Sequence, residues 1–148
     1  MANPAIPQGT LNRLKSSVVV PGNSALNITS SYMSKQFVSI AFEGAFDNNI
    51  QTGTGTVTSP EPFVMATITV GILRTQPLAS AWKVQSETLC DLGNVSVFPD
   101  VASGTFPEYD LVNCTIQHIE PAAFDGVDPV VRVVIRGTYY INNSLWAL

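Results

Sequence analysis

The stretch Phe63–Leu89, FVMATITVGILRTQPLASAWKVQSETL, changes its hydrophobic period once, and that change decides the fold. In an extended chain Val64, Ala66, Ile68, Val70 and Ile72 fall on one side, while Met65, Thr67, Thr69 and Gly71 fall on the other. One side demands a core; the other is small and weakly polar. Pro77 cannot donate to a strand ladder but suits a first helical turn, with Thr75 or Gln76 as the cap before it. Beyond it Leu78, Ala81, Trp82, Gln85 and Leu89 recur at helical spacing, ending near Gly93. The reading is a strand entering the one substantial helix of the chain, with Leu78, Trp82 and Leu89 anchoring that helix to the core.

Working outward, Phe37–Phe46 alternates, with Val38, Ile40, Phe42 and Phe46 opposite Phe37, Ser39, Ala41, Glu43 and Ala45. Val18–Val20 is a brief apolar strand closed by Pro21-Gly22-Asn23, with Ala25–Thr29 as the returning strand of a small hairpin. After the helix, Val95–Phe98 predicts a short strand stopped by Pro99. Asp100–Asp110, with Gly104 and Pro107, predicts a turn-rich connection. In the strand Leu111–Glu120, Val112, Cys114 and Ile116 point inward and Asn113, Thr115 and Gln117 outward. The run Val130–Ile141 sets Val131, Val133, Ile135, Tyr139 and Ile141 against Arg132, Val134, Arg136, Thr138 and Tyr140. This predicts a mainly β fold, an antiparallel sandwich or barrel with one flanking α-helix.

With 148 residues and no internal repeat or second composition regime, the chain reads as one domain spanning residues 1–148. Residues 1–17, with Pro4, Pro7 and Gly9, form an extended arm that needs something to lean on. The segment Asp47–Pro62, DNNIQTGTGTVTSPEP, is longer than a hairpin connection requires; it reads either as a mobile surface loop or as a β finger, through Thr54, Thr56 and Thr58, that meets another subunit. Charged residues make up only 12% of the chain, against roughly 25% in ordinary domains. So sparse a charge favours a surface covered by partners over a solitary soluble monomer.

The composition and the motifs exclude several function classes. A net charge of −4 leaves no electrostatic footprint for gripping phosphates. The N-terminus lacks a signal-peptide pattern and no stretch approaches a transmembrane length, so the chain is expected to be made in the cytoplasm. That makes the sequons at Asn27, Asn94, Asn113 and Asn142 uninformative. Cys90 and Cys114 have no metal-ligand spacing and read as buried thiols. His118 shares a strand face with Glu120, a spacing that a structural histidine reaches as readily as a catalytic one. No serine sits in a nucleophile elbow, Gly53-Thr54-Gly55 is not a phosphate loop, and Asp125-Gly126 with Asp128-Pro129 reads as a turn rather than a calcium loop. No enzyme, catalytic residue, cofactor or metal is expected.

The run ATITVGILRTQPLASAWK, a strand closing on Leu-Arg-Thr-Gln before a helix opening Pro-Leu-Ala, resembles the tail tube proteins of contractile-tailed bacteriophages. The likeness extends from about Val38 to Trp146. It implies a subunit of the virion tail that forms stacked hexameric rings, assembled in the host cytoplasm without membrane insertion. Its partners would be further copies of itself, tail sheath and baseplate or terminator proteins, and double-stranded DNA passing through the lumen during ejection. On that reading Ser39, Ala41, Glu43, Thr67, Thr69 and Gly71 are the lumen-facing candidates, and their few negative charges would repel DNA rather than hold it. The long segment would supply contacts between rings through Asp47, Asn48, Asn49, Gln51, Thr54, Thr56, Thr58 and Glu61. A tube subunit of a type VI secretion system or a pyocin would share these features. Two other classes remain: a small β-sandwich that binds carbohydrate or caps an assembly, with Trp82, Tyr139, Tyr140 and Trp146 as its platform, and a small hydrolase using His118 and Glu120.

Overall fold

Alternating apolar side chains need a partner strand on each side and a core beneath, and the central stretch obtains both. The computed structural model describes residues 5–101, 105–121 and 124–147; Pro4 of the arm and Gly104 of the turn-rich connection lie outside them. Among the described residues there are eight strands and one α-helix: β1 (Ser17–Val19), β2 (Met33–Glu43), β3 (Asp47–Gln51), β4 (Thr56–Pro60), β5 (Phe63–Leu73), α1 (Pro77–Thr88), β6 (Asp91–Phe98), β7 (Tyr109–Pro121) and β8 (Val130–Tyr140). Six of the strands form one curled antiparallel sheet, a half-barrel, in the order β1-β6-β7-β8-β5-β2, and β3 and β4 pair only with each other. The mainly β reading with one flanking helix holds, with the sandwich realised as a single sheet rolled around its own core.

β5 is paired along its whole length with β8, from Phe63↔Tyr140 to Leu73↔Val130, and with β2 on its other side. Val64, Ala66, Ile68, Val70 and Ile72 are buried, as their alternation predicts. Ala66, Ile68, Val70 and Ile72 share one cluster with Val133 and Ile135 of β8, Leu111, Cys114 and Ile116 of β7, and Val95 and Val97 of β6. Helix α1 lies over this core face and inserts Leu78, Ala79 and Trp82, the last fully buried, against the short 3-10 turn Ser24–Leu26. Leu89 does not join them: it is the C-cap, in extended backbone, and is 59% exposed because the chain has already left the helix for β6.

Other departures from simple alternation trace to bulges, where an extra residue turns the rest of a strand over. In β7, Asn113 adopts φ 52° at a shift of register between Val112 and Thr115. Leu111 is therefore buried, and Val112 lies opposite Thr138 on the face away from the core. A second shift at Gln117 brings His118 and Glu120 opposite Val134 and Arg132, again away from the core. In β2 a shift between Met33 and Val38, with Phe37 at φ 55°, folds Ser34 over Gly71; a Cβ on Gly71 would lie 3.2 Å from that of Ser34. The N-terminal hairpin reduces to one bridge, Val18↔Ile28, because β1 finds a longer partner in β6. Asp47–Pro62 is a finished hairpin, its tip closed by Thr52 N–H donating to the Gly55 carbonyl at 2.8 Å. Its two strands satisfy each other's backbone groups, so it needs no partner to become extended.

Gly137 sits where the core leaves no room for a side chain. A Cβ there would collide with Cys114 Sγ and come within 3.2 Å of Leu111 Cβ. Gly137→Ala should cost about 1–3 kcal/mol by overpacking. Trp82→Ala, which empties the centre beneath α1, should cost about 3–5 kcal/mol. The Trp82 indole N–H has no hydrogen-bond partner, so Trp82→Phe should recover most of the loss, and urea unfolding midpoints of the three variants check this ordering.

Candidate functional site

The face of the sheet turned away from the core carries no α-helix among the described residues, and its chemistry follows from register. Across β7, β8, β5 and β2 the rows run Val112–Thr138–Met65–Glu43, Thr115–Arg136–Thr67–Ala41 and His118–Val134–Thr69–Ser39. Ser39, Ala41 and Glu43 are exposed, and Thr67 and Thr69 are half-buried between neighbouring strands. These five predicted lumen residues share one surface. Gly71 lies in register with them but is buried beneath Ser34 and Val130, so it presents nothing to a channel.

The one carboxylate among these candidates, Glu43, is paired. Arg136 donates from Nε to Glu43 Oε1 at 3.1 Å and from Nη2 to Oε2 at 2.6 Å, while Thr67 Oγ1 donates to Oε1 at 3.3 Å. Glu120 stands opposite Arg132 one strand over. The arginines of β8 fall on the same side as the carboxylates of β2 and β7, but Asp110 of β7 and Asp91 of β6 are exposed on that side too, so carboxylates outnumber guanidiniums there. The Arg136 hydrogen bonds hold the Glu43 carboxyl below its ordinary 4.5, aided by the Arg136 charge and by Thr67.

The β3–β4 hairpin projects from one end of this sheet with every residue exposed except Pro60. Asp47, Asn48, Asn49, Gln51, Thr54, Thr56, Thr58 and Glu61 are thus all accessible, with Thr54 at the tip. Asn142, in left-handed backbone, clamps the hairpin's neck by donating from Nδ2 to the Phe46 carbonyl at 3.1 Å and the Glu61 carbonyl at 2.7 Å. Trp146 Nε1 donates to the Pro62 carbonyl beside it, and the indole packs edge-on to Tyr140. Reading Asn142 only as part of a sequon missed this role; no local pattern could have revealed partners 81 and 96 residues away.

The residues of the other function classes do not all come together: Tyr139 and Tyr140 border one pocket with Phe42 and Tyr109, and His118 borders another beside α1. Trp82 is core, Tyr139 packs with Phe42 and Tyr109, and Tyr140 with Trp146 lies at the chain end. His118 and Glu120 are 2.8 Å apart, both about half exposed. Asp125 caps its own turn by accepting from the Val127 N–H at 3.0 Å. Among the described residues no three of His, Cys, Asp and Glu gather to ligate a metal, and no helix is long and apolar enough to cross a membrane. Cys114 is buried and its thiol is pushed up to about 11 by desolvation, but Cys90 is exposed at the close of α1, contrary to the expectation of two buried thiols.

No family model matches the sequence, and no curated protein matches it. Among solved structures, the tube-terminating cap of the anti-feeding prophage is similar in fold, with a TM-score of 0.52 over 94% of this chain and 97% of that one. Sequence identity is 13%, so the likeness is one of fold.

Two measurements check the electrostatics of this site. A folded-state carboxyl held below its unfolded value stabilises the protein above the ordinary carboxylate range and loses that contribution as pH falls through the depressed value. Arg136→Gln should therefore move the NMR titration of Glu43 upward toward 4.5 and remove that acid-side dependence. An aromatic disulfide reagent at neutral pH should modify one thiol per native chain, that of Cys90, and two after denaturation, because a protonated, buried Cys114 is not a nucleophile.

Proposed function

We propose that this chain is a structural, non-enzymatic subunit of a contractile tail or related injection apparatus, one that assembles with copies of itself into rings stacked as a tube. The observation that carries the reading is the fold it shares, over nearly the whole chain, with a protein whose structure is described as a tube-terminating cap. Three features of the chain support it. The six-stranded sheet ends at β2 in an edge strand that pairs on one side only, with β5, which copies in a ring can use; the other end, β1, is covered by its bridge to Ile28. The face without an α-helix carries small, weakly polar side chains, a neutralised Glu43–Arg136 pair and a few further carboxylates. The neck-clamped hairpin offers an exposed contact outside the body. In a hexameric ring the open face would line the lumen, where double-stranded DNA would pass a wall of hydroxyls, one neutralised ion pair and a few carboxylates. Such a wall lacks the uncompensated lysines and arginines that release counterions and arrest a polyanion. Sheath and baseplate or terminator proteins would be its further partners in the tail, whether that tail belongs to a virion or to a secretion-type machine.

A second reading, that the chain terminates a tube rather than builds it, draws on the same fold likeness. The two differ in what the purified protein forms: a tube subunit gives rings and hollow rods, a terminator gives rings alone. Negative-stain microscopy at high concentration separates them, and compact monomers at every concentration and salt would overturn both. Replacing Gln51–Val57 by a short Gly-Ser linker should leave a folded, β-rich monomer, since no buried residue is removed. Stacking should fail in that variant; rods of ordinary length would remove the hairpin from the inter-ring role.

A further inference from the structure

A groove of about 680 Å³ runs between α1 and the last third of β7, floored by Ile116, Ile119 and Val131 and bordered by Arg74, Lys83 and Cys90. It lies where β5 and β7 finish and β8 begins. The hairpin leaves from the other end, between the finish of β2 and the start of β5. Eleven residues of β5 separate the two features, about 33 Å at the rise of an extended strand. The hairpin's own strands are five residues each and point out from that far end, so it cannot reach the groove of its own chain.

Resting on the tube reading, we infer that the β3–β4 hairpin of one copy seats in the α1–β7 groove of the next, joining copies head to tail. The chemistry of the two surfaces is complementary. Ile50 and Val57 face each other across the hairpin, 50% and 54% exposed, and supply apolar side chains for an apolar floor. The segment carries Asp47 and Glu61 with no lysine or arginine, whereas the groove's rim holds Arg74 and Lys83 with Glu87 and His118. Both rim cations are already engaged, Lys83 with Glu87 and Arg74 with the Asp128 carbonyl and the Asp125 charge, so the apolar side chains rather than a surplus of charge carry the fit. Because the two surfaces differ and lie at opposite ends, each contact leaves a free hairpin on one side and a free groove on the other. Such a heterologous contact extends into a stack unless the rotation between copies closes it into a ring.

Cys90, exposed on the groove's border, gives the test a native handle. In full-length Val57→Cys treated with a short bis-maleimide at concentrations where rods form, a ladder of covalent dimers and higher multimers should appear on denaturing gels. The ladder should be lost when Cys90→Ser is added, and should be absent from the wild-type protein. Rods that yield no ladder with either Val57→Cys or Ile50→Cys would overturn the groove while leaving the tube reading intact. A ladder that survives Cys90→Ser would also overturn it, showing hairpins meeting hairpins. Rings that never become rods would overturn the stacking contact and select the terminator, and monomers at every concentration would overturn both readings.

Discussion

The structure depends on burying one face of a single sheet. A flat six-stranded sheet with no second sheet against it would leave its apolar face wet, and curling lets that face enclose itself while α1 closes the remaining side with Trp82. β5 is the pivot because it is bonded along most of its length on both sides and because its chain end becomes the covering helix. The close approach of Gly137 to Cys114 and Leu111 shows how little slack the curled core retains.

Enclosure on one side releases the other side for different duties. The bulges at Asn113 and Gln117 in β7 set which residues reach that open face, and register across β2, β5 and β8 then brings Glu43, Thr67 and Arg136 into one hydrogen-bonded group. An exposed pair of this kind contributes little to stability. Its larger effect is on the field of the surface, because it cancels a carboxylate that would otherwise repel a polyanion.

The proposed assembly role joins these features to the polarity of the fold. The antiparallel order sends the hairpin out at one end and places the groove beside α1 at the other, so that a copy has distinct ends rather than a symmetric contact. Asn142 and Trp146, from the last turn of the chain, hold the hairpin's neck. A projecting element anchored in this way is presented to a neighbour in one orientation, which lowers the ordering entropy that binding must overcome.

The strands and the helix were legible in the sequence because their periods are local: Val64 to Ile72 and Val131 to Ile135 alternate without interruption, and Pro77 followed by Leu78 and Trp82 announces a helix. The six lumen candidates were likewise placed on one strand face each, and five of them do share an accessible surface. What alternation could not reveal were the shifts of register, since a bulge is defined by the partner strand; hence Val112 and Leu111 exchanged faces, and Ser34 came to cover Gly71. The end of the helix was also misplaced, Leu89 continuing the apolar spacing past the point where the backbone turns toward β6. The Glu43–Arg136 pair spans 93 residues and the Asn142 clamp 81. Local sequence determined which residues must be buried and in what type of element; only the tertiary structure decided the charge of the open face, the support of the hairpin and its separation from the groove, because each arises from groups that meet after the sheet has closed.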